Sequence, residues 1–465
     1  MTSQPGPLLP LPAADTIPHA AFLAKLLGIA MLLAALLNGA SFYLKRTGLA
    51  EAQAYQNYWR LHCEPVTSLA PITEPGPRCC AATPAQPAYA QTAAERQATR
   101  YLYDSAGGEI AFKLAKDFVF IATLLLSMYW LARGAAPFPD FARQWPIWLL
   151  AGYLLLACTS AWWSGASLAA AAGARAFMFL AVALAGAWLA PRLAAFAGAI
   201  GVLLLIETVL LPYEVYHGVH VYGHFGSLPY AGRAAGTFIL PNSLGIFAAA
   251  GLAFYHAFGS RQWLAPVGIA SLALVLAGGS GTGLACTLVF WALVLLRRAG
   301  PGKRMRIAGP ALLVAVATAF SLPALTGRPL LYDSLFGEGG RTQTLQNAVG
   351  GQPLQTIAFG RGLGVNTNTD LNLGKARDVA AVLPRPADST ITGLIIQIGV
   401  LGTLLFYLIL AWAAYRDART RIFYAVLAAA SLTLNITELF PVNFLLGIAL
   451  AHSVVAGGQP AARAP

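Results

Sequence analysis

Ala21-Phe-Leu-Ala-Lys-Leu-Leu-Gly-Ile-Ala-Met-Leu-Leu-Ala-Ala-Leu-Leu-Asn-Gly-Ala-Ser-Phe-Tyr-Leu44 carries a single charged side chain, Lys25. About 20 predominantly apolar residues are enough for a helix to cross the hydrocarbon core of a bilayer. Three more runs, 118–131, 176–190 and 401–414, approach that length. The whole chain follows the same rule: 57% of its 465 residues are hydrophobic and only 10% are charged. Mean hydropathy is +0.63. Soluble domains carry roughly 25% charged residues, so a bilayer must be the solvent for most of this surface. The first run is too long for the core of a cleaved signal peptide, and no small-residue cleavage site follows Tyr43. It reads as the first membrane helix of an all-α, polytopic membrane protein.

Working outward, hydropathy predicts about twelve transmembrane helices. Their cores are 20–44, 112–133, 146–162, 168–190, 194–211, 237–258, 263–277, 282–297, 306–322, 390–414, 420–436 and 440–456. The net charge of +12 does not point to nucleic acid, because the basic residues are not gathered on one soluble face. They sit in short connections: Arg133 and Arg143, Arg192, Arg261, then Arg297, Arg298, Lys303, Arg304 and Arg306, then Arg416, Arg419 and Arg421. The acids in those connections are Asp140 and Asp417. An excess of Lys and Arg marks cytoplasmic loops, so both termini are expected inside.

The opposite side carries two long loops. The chain divides into 1–44 with the first helix, loop 45–110, helices two to nine across 111–322, loop 323–389, and the last three helices with a tail, 390–465. Loop 45–110 is rich in Pro and Ala and contains Cys63, Cys79 and Cys80. In an oxidising periplasm Cys63 would bridge to Cys79 or Cys80; otherwise all three are free thiols. Cys158 and Cys286 fall within helices and read as packing residues. Gly278-Gly-Ser-Gly-Thr-Gly283 lacks the Lys of a phosphate loop and reads as a tight turn between two helices.

Ionisable groups inside a membrane are costly and point to function. Arg175, among Ala and Gly in the fourth helix, is either a clamp on a phosphate or diphosphate or an arginine snorkelling to outer headgroups. His217, His220 and His224 are too loosely spaced, without a companion Cys or carboxylate, to make a metal site. No metal and no cofactor are expected. Arg233 precedes a helix opening near Pro241, and Gly236 with Pro241-Asn242 suggests a bent lead-in that leaves backbone donors and Asn242 for a ligand. Arg341 follows a Gly pair ahead of a short helix, 342–349, an anion-friendly turn. Arg361 lies in the flexible-looking Gly360-Arg-Gly-Leu-Gly364. Asp388-Ser389 is either the N-cap of the tenth helix or contains a base for a hydroxyl. Glu438, beside Asn435 and Asn443, is either part of a structural network or a second base.

Three of these stretches resemble the bacterial O-antigen ligase and O-antigen polymerase superfamily. Arg233-Ala-Ala-Gly-Thr-Phe-Ile-Leu-Pro-Asn242 is similar to its R-x-x-G-T/F…P-N element. Gly340-Arg341, the short helix and Gly360-Arg-Gly-Leu-Gly364 resemble its large periplasmic loop, although the usual Trp is missing and Leu345-Gln346 stands near its place. Asp388-Ser389 through Gly399-Val-Leu-Gly402 is similar to its H/D-N/S…G-x-x-G helix start. The likeness spans roughly residues 110–455 and leaves loop 45–110 unmatched.

The resemblance implies a GT-C-type glycosyltransferase in the bacterial inner membrane, with its active site facing the periplasm. The donor would be an undecaprenyl-diphosphate-linked glycan, the acceptor a hydroxyl, and the outcome inversion without a metal. Arg175, Arg233, Asn242, Arg341, Arg361 and Glu438 would bind diphosphate and glycan. Arg233 and Arg341 would stabilise the leaving group, with Asp388 as the base. Partners would be membrane lipids and a chain-length regulator. The ligase branch usually carries His where Asp388 stands, so the polymerase branch is the nearer match. The alternatives are a ligase acting on lipid A-core and, from another class, a lipid-linked oligosaccharide transporter. Transporters of that kind usually show internal repeats, which this sequence lacks.

Overall fold

The computed structural model describes residues 19–44, 107–133, 141–163, 167–217, 233–238, 240–299, 341–365 and 389–456. The expected helix 306–322, the cysteines at 63, 79 and 80, His220, His224 and Asp388 lie outside the described residues. Every regular element among the described residues is helical. In chain order these are α1 (Ala20–Leu44), α2 (Gly107–Ala132), α3 (Phe141–Trp163), α4 (Ser167–Arg175), α5 (Met178–Ala185), a 3-10 segment (Gly186–Arg192), α6 (Leu193–His217) and α7 (Pro241–Phe258). A 3-10 turn (Arg261–Trp263) leads into α8 (Leu264–Ala277) and α9 (Gly281–Arg298). Then come α10 (Arg341–Val349), α11 (Leu354–Phe359), α12 (Thr390–Arg416), α13 (Arg421–Ser431) and α14 (Val442–Ala456).

Five stretches among the described residues are long and apolar enough to cross a membrane: Ala20–Asn38, Leu114–Ala132, Met178–Tyr216, Gly281–Arg298 and Thr390–Arg416. Shorter apolar helices accompany them at Gln144–Thr159, Arg261–Ala277, Arg421–Ser431 and Val442–Ala456. Leu125, Leu155, Leu156, Val209 and Ile269 point outward, as side chains solvated by lipid do. This is a membrane-embedded helical protein.

The long stretch Met178–Tyr216 is a hairpin. Phe179 and Gly186 lie against Gly447 and Ala451, so α5 runs parallel to α14. Gly201 meets Tyr255 and Gly251 meets Ile200 and Leu204, so α6 runs antiparallel to α7. Phe258 and His452, at the far ends of α7 and α14, touch edge to face. The chain therefore turns back at the 3-10 segment, where Pro191 lacks the amide a continuing helix needs.

α7 is the central helix. It packs on α6, α8, α9, α13 and α14, and all of it is buried except Asn242 and His256. One end of the bundle gathers the arginines. Arg297 Nη1 donates to the Ala418 carbonyl (3.1 Å) and Arg419 Nε to the Ala257 carbonyl (2.6 Å). His452 Nδ1 lies 3.1 Å from the Ala190 carbonyl, and its Nε2 lies 3.6 Å from Asp417. The opposite half carries the irregular segments 233–238, 278–280, 360–365 and 432–441.

Periodicity located these helices but missed their interruptions. The single helix expected at 168–190 is broken after Arg175, where Ala176 and Phe177 bond three residues back, to Gly173 and Ala174. Arg175 is thus the last residue of α4 rather than a mid-helix residue. The helix expected from 237 begins at Pro241, and the one expected to reach 436 ends at Ser431. α12 is broken inside at Gly399. The turn expected at 278–283 is present, with Ser280 capping α9 by accepting from the Gly283 amide.

Candidate functional site

Three polar groups occupy the half of the bundle opposite the arginine-rich end. The first is built on the lead-in to α7. The carbonyls at the end of α8 have no helical partner, and the helix dipole makes them negative. Arg233 caps them: Nε donates to Gly278 O (2.9 Å) and Nη2 to Gly279 O (3.3 Å). Nη2 also donates to Asn242 Oδ1 (2.9 Å), and the Ala234 amide reaches Ala277 O. The next three amides of the segment converge on two acids of α6. Ala235 and Gly236 both donate to Glu214 Oε2 (2.8 Å each), and Thr237 donates to Glu207 Oε2 (2.8 Å). The Thr237 hydroxyl bonds Glu207 Oε1.

This corrects the expectation that the backbone donors near Gly236 and the oxygen of Asn242 stand open to a ligand. Glu207 and Glu214 already hold those amides, and Arg233 already holds that oxygen. Both glutamates are buried. The sequence did contain the signal: two acids seven residues apart, on one face of an otherwise apolar helix. Glu207→Leu is expected to orphan the Thr237 amide and hydroxyl, at about 1–3 kcal/mol for each. Glu207→Gln keeps one acceptor oxygen and should lose less. Thermal unfolding of the detergent-solubilised variants measures both.

The second group joins α2, α3, α4, α11 and α12. Arg175 Nε bonds Asp117 Oδ1 at 2.6 Å. The apolar neighbours of Arg175 in sequence include no acid; α2 supplies one 58 residues away. Gly173, two residues back, receives the loop 360–364 so closely that a Cβ there would lie 2.2 Å from the Gly364 nitrogen. The same loop seats in the break of α12. The amides of Arg361 and Gly362 donate to Ile396 O (2.7 Å) and Gln397 O (3.2 Å). Gln397 Oε1 accepts from the Gly364 amide (3.1 Å), and the Tyr153 hydroxyl donates to Ile398 O (2.8 Å). Gly360–Gly364 is pinned at every turn, not the loose stretch its glycines suggested. Arg361 itself is half-buried. Arg341 opens α10; its side chain lies outside the described residues.

The third group surrounds the start of α12. Ser389 is the N-cap, accepting from the Thr392 amide (3.1 Å), so the capping role belongs to Ser389. Thr390 bonds Leu434 O and the Ile436 amide. Glu438 Oε1 accepts from Asn435 Nδ2 (3.1 Å), and Asn443 bonds Thr437 O (2.9 Å). Glu438 thus takes part in the network that holds the turn between α13 and α14.

Arg175 and Arg233 belong to different groups, and the partners of Arg233 are Gly278, Gly279 and Asn242. Among the described residues no three His, Cys, Asp or Glu side chains gather as metal ligands do. No family model matches the chain, and no curated protein matches it.

Proposed function

We propose that the protein is an integral-membrane glycosyltransferase that polymerises undecaprenyl-diphosphate-linked repeat units into O-antigen or exopolysaccharide. The observation that carries this reading is the loop 360–364, seated in the break of α12 beside the Asp117–Arg175 pair. Irregular backbone and an ion pair inside an apolar bundle persist only where protein or a water-filled cavity surrounds them. The likeness of the segments 233–242, 360–364 and 389–402 to the O-antigen polymerase superfamily supplies the substrate class. Arg175, Arg233 and Arg341 are the proposed ligands of the diphosphate. Their guanidinium forks neutralise the charge that develops as it departs.

Purified protein given a lipid-linked repeat unit, with and without lipid A-core, tests this directly. Growth on the lipid-linked unit alone is the expected result. Transfer only to lipid A-core makes it a ligase, and neither product favours a transporter. Because arginines supply the positive charge, activity is expected to survive a chelator. Loss that Mg²⁺ or Mn²⁺ restores would refute a metal-free mechanism.

The proposed orientation in a bacterial inner membrane puts both termini in the cytoplasm and the three polar groups towards the periplasm. It follows from the arginines gathered at the ends of α9, α12 and the 3-10 segment. Cysteines introduced at 340 should react with an impermeant reagent in spheroplasts, and those at 300 should not. The reverse pattern inverts the topology and removes the site from the periplasm.

A further inference from the structure

We propose that the crevice between α8 and α9 is a binding site for an anionic glycerophospholipid, its phosphate held by Arg261 and Arg298 at the arginine-rich end of the bundle. The site stands on the membrane-embedded fold and does not require the glycosyl-transfer reading.

The crevice follows from how three helices pack. α8 and α9 both lie against α7 and scarcely touch one another. The turn at 278–280 joins them, so their far ends, with Arg261 and Arg298, lie at the same end of the bundle. α7 forms the floor. A Cβ at Gly268 of α8 would lie 3.8 Å from the Trp291 ring of α9 and 4.0 Å from Leu252 of α7, so Trp291 bridges the crevice midway. One turn beyond Leu252, the His256 ring meets Phe290 edge to face, with 5.4 Å between centroids. Its Nδ1 is buried and has no hydrogen-bond partner among the described residues. Arg297, Arg298 and Arg261 lie close enough for their charges to act on that ring.

Charge and surface together choose the occupant. α7, α8 and α9 carry no Asp or Glu between Pro241 and Arg298. Asp417, next to the Ala418 carbonyl that Arg297 bonds, already accepts from the Arg419 amide and the Thr420 hydroxyl. Arg261 and Arg298 are exposed and have no ion-pair partner among the described residues. Trp263, two residues from Arg261, is exposed as well, the placement of an indole at the level of lipid headgroups. Ile269, Leu272, Leu276 and Trp291 continue an exposed apolar surface away from it. A soluble anion would match the arginines and leave that surface uncovered. An anionic phospholipid matches both, with its phosphate at the guanidinium forks and its chains along α8 and α9.

The test uses the full-length protein purified in detergent. It is titrated with phosphatidylglycerol, with phosphatidylcholine, and with glycerophosphoglycerol, which has the anionic headgroup without the chains. Native mass spectrometry counts bound lipid, and the thermal midpoint is followed beside it. Wild type should bind phosphatidylglycerol saturably, about tenfold or more tighter than phosphatidylcholine, and gain midpoint from it. Arg261→Gln and Arg298→Gln should each weaken phosphatidylglycerol about fivefold, the scale of one basic residue at an anionic lipid surface, and leave phosphatidylcholine unchanged. Arg133→Gln removes an exposed arginine that stacks on Tyr129, outside the crevice, and should keep wild-type affinity. Equal weakening by Arg133→Gln would reveal a diffuse charge effect and overturn the site. So would a wild type that does not prefer phosphatidylglycerol, or wild-type affinity in both crevice variants. Displacement of phosphatidylglycerol by glycerophosphoglycerol at similar concentrations would make the ligand a soluble phosphodiester and overturn the lipid assignment.

Discussion

Gly399→Ala is expected to release the loop 360–364 from α12 and to lower activity on the order of 10²-fold, the scale set by misplacing a site by about an ångström. Gly399 has φ 68° and ψ −177°, a region that is essentially glycine-only and costs other residues of order 1–3 kcal/mol. The steric problem is larger. A Cβ at this position would lie 2.1 Å from Ala358 O, 2.4 Å from Ala358 C and 2.5 Å from Phe359 N. All three are backbone atoms, so no side chain can swing aside. Either α11 backs out of the break or α12 straightens, and both unseat the amides of Arg361 and Gly362. Gly173→Ala should act from the other flank, since it drives a methyl into Gly364. Gly152→Ala, where a Cβ meets nothing within 4 Å, is the matched control. Limited proteolysis across 350–366 and the thermal midpoint report the release. A Gly399→Ala protein with wild-type resistance and midpoint would show that the loop is not held by the break.

Arg233→Ala is expected to be the most destabilising single change at the lead-in to α7. It removes the donors to Gly278 O, Gly279 O and Asn242 Oδ1 together. A fully buried acceptor left without a donor costs about 1–3 kcal/mol; these three are part-buried and cost less each, but the α8 terminus also loses the cation that its dipole favours. Arg233→Lys keeps the cation but has no planar fork with which to reach three acceptors, so its midpoint should fall between those of Ala and wild type. Asn242→Ala removes one of the three bonds and should be the mildest. Folded yield must be measured beside activity, because this arginine works on the protein itself as well as on any diphosphate. An unchanged midpoint in Arg233→Ala would remove the capping role.

What was legible in the sequence was whatever repeats along a helix. Runs such as 401–414 and the Arg297-Arg298 pair at a helix end carry their meaning locally, and the bundle follows them. The turn at 278–283 was legible for the same reason, because its glycines and Ser280 act on their own neighbours. The interruptions were not. Gly399 looks like any membrane-helix glycine until α11 is seen against it, and Gly173 looks like any small residue of α4 until residues 363–364 are seen against it. Arg175 and Arg233 stood out as charges in apolar surroundings, but their partners are set by tertiary packing. Asp117 lies 58 residues from Arg175, and Gly278 lies 45 residues from Arg233. Asn242 read as a ligand because its own partner, nine residues upstream, was read as one too.

The glutamates of α6 also bear on how the chain is made. Their acceptors are complete before their donors exist: Glu214 waits 22 residues for Gly236, and Glu207 waits 30 for Thr237. At about 5–20 residues per second, a ribosome takes seconds to cover that gap. During this interval α6 holds two acids that a bilayer resists and no protein group yet compensates. A nascent α6 therefore gains these donors only once residues 235–237 have been made. Arg233 must then wait a further 45 residues for the carbonyl of Gly278. The polar groups of α6, the lead-in to α7 and the end of α8 are thus all satisfied only when the three are present together.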